Sequence, residues 1–185
     1  MKRSLILLAL IVIATNAFAQ PAATTTPAPV KPQEQLDAMA KLEYMLGRWT
    51  GSGWADMNGT KMPVRETVVI EPKVGGAAMM IQNDVYDRPQ TAGGDTPSMQ
   101  MIGVVSYDPK AKAYHLNTWL SNGMGGDHDF SLTPNGFIWT VKRPGETMRY
   151  TNTMTPQGDW LEKGERSTDG TTWKQVFEMK LSREL

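Results

Sequence analysis

Along most of this chain apolar and polar residues alternate one for one, and only one stretch shows helical spacing instead. In LDAMAKLEYML, Leu36, Met39, Leu42 and Leu46 fall on one side of a helix, with Tyr44 and Met45 beside them. After Leu46 the period becomes two, the spacing of a strand with one buried face. The last segment is the clearest case. Trp173, Gln175, Phe177, Met179 and Leu181 share one face, expected inward, and Lys174, Glu178 and Lys180 the other.

Turn chemistry recurs roughly every ten residues through this region. Asn58-Gly59 suits a type I′ hairpin, whose two central residues need positive φ. Asp108-Pro109, Pro134-Asn135-Gly136, Pro144-Gly145, Pro156-Gln157-Gly158 and Asp169-Gly170 continue the series. Between them lie about ten short strands, centred near Gly51, Thr67, Ile81, Val104, Leu116, Phe130, Trp139, Tyr150, Glu162 and Val176. Consecutive antiparallel strands leave two exposed edges unless the sheet closes. The expected fold is therefore all-β, a closed up-and-down antiparallel barrel of about ten strands with one short N-terminal helix.

The residues before the helix do not belong to that fold. Lys2 and Arg3, an apolar run from Leu5 to Ala14 and then Ala17-Phe18-Ala19 read as a signal peptide over residues 1–19. Residues 20–35, with Pro21, Pro27, Pro29 and Pro32, read as a disordered linker, and residues 36–185 as the barrel domain. The expected location is periplasmic or secreted, with no membrane insertion once the signal peptide is cleaved.

Charge and cysteine content narrow the classes further. Without residues 1–19 the chain carries 17 basic and 19 acidic side chains, a balance that argues against nucleic acid as a partner. Cysteine is absent, so no disulfide staples an exported fold and burial must hold it.

Glycine and tryptophan cluster at the first strand, in LGRWTGSGW. On the parity of Trp49, the positions Gly51, Gly53, Ala55 and Met57 share its face, a strip of bare wall open to a partner's approach. The helix followed by Gly47-Arg48-Trp49 resembles the start of a lipocalin, whose Gly-x-Trp motif opens the first strand. Gly-x-Trp-x-Gly-x-Gly, the Tyr107-Asp108-Pro109 turn, Tyr114 with Thr118-Trp119, and Asp169-Gly170-x-x-Trp173 are similar to a lipocalin-like bacterial family of the calycin group, itself distantly like nitrobindin barrels. The resemblance implies that Trp49 packs at a closed base, and that an Arg late in the barrel lies over it, for which Arg183 is the candidate.

Successive hairpins alternate between the two barrel ends. The connections at Asn58, at Asp87 to Ser98, at Ser121 to Asp127, at Pro144 and at Asp169 therefore share the end opposite Trp49. The two longest loops lie there and are candidates for a lid over a mouth.

Little else carries chemistry. His115 and His128 are the two histidines, and a haem barrel of the nitrobindin kind would need one late in the chain. His115 shares a face with Asn117 and Trp119 and is a candidate lumen residue. In Asp127-His128-Asp129 neighbours point to opposite faces, so the run reads as polar turn flank and no metal site is expected. Met99 and Met101 share a face, a pairing that copper would favour, but methionine also lines apolar cavities. Glu66 and Glu165 are candidates to face the lumen with no base or acid assigned to either.

The reading is an exported, non-enzymatic protein that binds a small apolar or amphipathic ligand, with no cofactor. The candidate ligand-binding residues are Trp49, Met57, Met101, His115, Trp119, Trp139, Tyr150, Trp173 and Phe177, with about two-thirds expected inward because bulges reverse parity. The alternative is an envelope protein-interaction module that uses the barrel as scaffold, and a haem or copper carrier follows behind it.

Overall fold

A computed structural model describes residues 33–87 and 96–184. The expected signal peptide, most of the linker and the middle of the longest loop lie outside the described residues. Ten strands follow one another: β1 (Gly47–Met57), β2 (Thr60–Lys73), β3 (Ala78–Tyr86), β4 (Met99–Asp108), β5 (Ala113–Leu120), β6 (Gly125–Thr133), β7 (Gly136–Arg143), β8 (Glu146–Met154), β9 (Trp160–Ser167) and β10 (Lys174–Arg183). Each pairs antiparallel with the next, and β10 returns to β1 to close the barrel, in register from Trp49↔Arg183 to Ala55↔Phe177. Every expected strand centre lies within its strand.

The helix α1 spans Gln33–Ala40, so it begins three residues inside the expected linker and ends earlier than the apolar spacing suggested. Past Ala40 the chain tightens, with Lys41 N donating to Ala38 O and Leu42 N to Met39 O, and a 3₁₀ turn covers Glu43–Met45. That tightening turns Leu42 and Met45 into the end of the barrel, both with no exposed surface. Tyr114 Oη anchors the helix from the wall, donating to Ala38 O at 2.7 Å.

This end is closed. Trp49, fully buried, donates its indole N–H to Met45 O at 2.9 Å and meets Trp160 edge-on with centroids 5.7 Å apart. Phe137 packs against Trp160, and Phe130 stacks on Phe137 at 4.9 Å. Burying a side chain of this size stabilises the fold by roughly 1.5–3 kcal/mol. Arg183 lies over Trp49 with its guanidinium carbon 4.2 Å from the ring centroid, and donates to the carbonyls of Leu46 and Tyr44. The base and its arginine cover are as the lipocalin resemblance implied.

The glycines of β1 serve a different end from the one expected. A Cβ on Gly51 would lie 1.9 Å from Lys180 O, and one on Gly53 1.8 Å from Glu178 O. The strip is filled by the backbone of β10, so these glycines permit the strand approach that closes the barrel. Only Ala55 and Met57, further along, border open space.

The alternation of β10 is also interrupted. A bulge between Gln175 and Phe177 shifts the register against β9 and buries Val176. Before the bulge the parity reverses: Gln175 donates to Glu178 Oε2 on the outer face, and Trp173 lies outside, 4.0 Å from the Arg149 guanidinium. Phe177, Met179 and Leu181 point inward as expected.

Candidate functional site

Above the closed base the barrel is hollow. A cavity of about 980 Å³ runs to the opposite end and opens between the β1–β2 turn, the β3–β4 and β5–β6 connections and the ends of β7 and β8. The β1–β2 turn at this mouth has positive φ at Asn58 and Gly59, as the type I′ hairpin demands.

Strand parity decides what faces this space. On β2 the inward set is Val64, Glu66, Val68 and Ile70, so Glu66 sits in an otherwise apolar row with 4% of its surface exposed. On β9 it is Trp160, Glu162 and Gly164, which carries Glu162 into the lumen above Trp160. Trp139 and Tyr150, partners on β7 and β8, stack at 4.2 Å with planes 12° apart and form the adjacent wall, with Phe177 edge-on to Tyr150. Met57, Met99 and Met101 line the route to the mouth.

Of the expected ligand-binding residues, Met57, Met101, Trp139, Tyr150 and Phe177 border the cavity, and Trp49 points inward but belongs to the packed base. His115, Trp119 and Trp173 do not. On β5 the inward residues are Tyr114, Leu116 and Thr118, so His115 and Trp119 face outward. His115 lies 3.6 Å from Asp127, and Trp119 keeps 59% of its surface exposed. Trp173 is turned out by the β10 bulge. Glu165 is also outside, held by Arg149 at 2.7 and 3.1 Å.

His128 was passed over and lies inside. It is buried, borders the cavity and shares a hydrogen bond with Thr118 Oγ1 at 2.8 Å, while Asp127 and Asp129 flank it at the exposed rim. Burial holds its pKa below the usual histidine value. Among the described residues no group of three or more His, Cys, Asp or Glu is placed to hold a metal ion.

The two lumen carboxyls dominate the electrostatics. Burial raises the Glu66 pKa to about 7, opposed only by a long hydrogen bond from Asn83 Nδ2 at 3.4 Å. Burial and the charge of Glu66 across the lumen raise the Glu162 pKa to about 8, with Trp139 and Asn152 acting in the other direction. Tyr150 beside them is raised to about 12, first by burial and then by Glu162. Asn152 is itself fixed, its Oδ1 accepting from Trp160 Nε1 at 2.7 Å. The Asn83 Oδ1 is buried and accepts no hydrogen bond.

Glu66 faces the lumen as expected, in the row of Val64 and Val68, whereas on β9 it is Glu162 and not Glu165 that does so. Parity was the signal for it, since Glu162 stands two residues from Trp160 in an inward row whose other members are apolar.

No protein-family model matches this chain, and no curated protein matches it. Among solved structures it is similar to Rv2717c from M. tuberculosis, with 15% sequence identity and a TM-score of 0.55 over 80% of this chain and 98% of that one. At that identity the likeness speaks for the architecture alone, a closed ten-strand antiparallel barrel that fits a lipocalin-like fold.

Proposed function

We propose that this chain is an exported carrier that holds one small apolar or amphipathic molecule in its barrel and does not transform it. The observation that carries this reading is the cavity of about 980 Å³, open at one end and walled by Met57, Met101, Trp139, Tyr150 and Phe177. Ligand sites of about 300–1,000 Å³ with mainly apolar walls and a few placed polar groups are the common kind. The signal-like residues 1–19 support a periplasmic or secreted location. No helix among the described residues is long and apolar enough to cross a membrane.

The test is native mass spectrometry of protein purified from its own cell envelope, followed by solvent extraction, with titration of the uncharged dye Nile red in parallel. A one-to-one adduct released by solvent, or saturable dye uptake at one site, supports the carrier. A bare polypeptide that also excludes the dye defeats it.

One observation favours the interaction module instead. Ile102 and Trp119 are cross-strand partners on the outer face of β4 and β5, with 47% and 59% of their surfaces exposed. That reading predicts a protein partner that Trp119→Ser releases and Nile red does not displace.

A further inference from the structure

The floor of the cavity holds two carboxyl groups that its own donors satisfy unevenly. Glu66 receives one long hydrogen bond, from Asn83, whose own carbonyl oxygen is buried without a donor. Glu162 borders the same space from β9, three strands round the closed barrel from β2, with the side chains of Trp139 and Asn152 as its donors. Two carboxyl groups buried in one cavity each raise the cost of the other's charge, and a cation between them removes that cost.

The described lining offers no such cation at that depth. Its two basic residues, Lys142 and Arg143, stand at the rim near the mouth, and each has a partner: Lys142 lies 2.6 Å from Asp129, and Arg143 3.7 Å from Glu146. The other ionisable groups bordering the space are Tyr150 from β8, His128 from β6 and the rim carboxylates Asp87, Asp127 and Asp129. Beside the glutamates the walls are aromatic, and towards the mouth they are thioether, which suits an apolar body attached to a charged head.

We propose that the occupant is an amphipathic amine: a primary or secondary ammonium group seats between Glu66 and Glu162, and its apolar body runs past Met101 and Met99 to the mouth. The ammonium supplies N–H donors to Glu66, which has one long hydrogen bond, and to the buried Asn83 Oδ1, which has none. It takes the place of the proton the carboxyl pair otherwise keeps, and that proton leaves to solvent as the amine binds. This rests on the reading of the cavity as a ligand site.

Calorimetric titration with decylamine, decanol and decanoate separates the two claims, because the three share a tail and differ in the head. Near pH 8, where the amine is still charged, decylamine is expected to bind at least about tenfold more tightly than the other two, a preference worth about one pKa unit. Repeating the titration in buffers of different ionisation enthalpy is expected to show release of about one proton per ligand near pH 7. Glu66→Gln with Glu162→Gln is expected to abolish the amine's advantage and leave decanol binding in place.

Equal affinities for decylamine and decanol in the unaltered protein, with no proton release, would overturn the amine and leave the carrier standing. Binding of none of the three, together with exclusion of Nile red, would overturn both. The proton count needs no variant, so a double substitution that fails to fold does not shelter the proposal.

Discussion

The guanidinium of Arg183 lies 4.2 Å from the centroid of Trp49 and joins the last strand to the first at the closed base. It also donates to Leu46 O and Tyr44 O, the carbonyls that lead from the 3₁₀ turn into β1. One side chain thus closes the barrel and ties its plug in place. Arg183→Ala is expected to lower stability by about 1–2 kcal/mol, from the lost cation–π contact and charged hydrogen bonds. Urea denaturation measures it, and an unchanged midpoint would contradict this role.

Gly51 and Gly53 make the same closure possible from the facing strand. A methyl group at either position meets a β10 carbonyl inside 2 Å, so Gly51→Ala must push the strands apart. The expected cost is about 1–3 kcal/mol, as for other overpacked sites. A thermal melt equal to that of the unaltered protein would show that the strip has room after all.

The lumen carboxyls make stability depend on pH in the direction opposite to a salt-bridged carboxylate. Their folded-state pKa values, about 7 for Glu66 and about 8 for Glu162, lie above the unfolded value of 4.5. The folded protein therefore holds more protons than the unfolded chain between these limits. The stabilisation is complete below the unfolded pKa and is lost as pH rises through about 7–8. In the absence of ligand, stability should fall by several kcal/mol from about pH 5.5 to about pH 8.5, and Glu66→Gln with Glu162→Gln should flatten the decline. A rise over that range, or an unchanged slope in the variant, would contradict the assignment.

Trp139 and Trp119 stand on opposite sides of the wall. Trp139 borders the cavity and Trp119 is 59% exposed outside it. A tryptophan fluorescence change on decylamine or decanol binding should survive Trp119→Phe and be largely lost in Trp139→Phe. The reverse pattern would move the site to the outer face.

Much of the barrel could be read from local chemistry, because hairpin turns and alternation are each set by a few neighbouring residues. Asn58-Gly59 marks its turn unaided, and β10 shows its inward face from Phe177 onward. What escaped reading depends on longer-range facts. A bulge that exists only in the pairing of β10 with β9 turned Trp173 outward. On β5 both faces carry large apolar residues, and nothing local says that Leu116 rather than Trp119 is buried. The bare strip along Gly51 and Gly53 suggested ligand space because the path of β10 across it is a tertiary contact. Glu66 and Glu162 belong to inward rows, but they share one space only because the pairing of β1 with β10 closes the barrel and brings β2 and β9, far apart in sequence, within three strands of each other.

The most direct measurement of the central claim is a Nile red titration of the purified protein, read by the dye's own emission, with Met101→Trp as the filled-cavity control. The account predicts uptake of one dye per chain, displaced by decylamine and reduced in a variant that stays folded by circular dichroism. Dye emission that never saturates, or that is unchanged when the cavity is filled, would show that the hollow of this barrel is not a binding site.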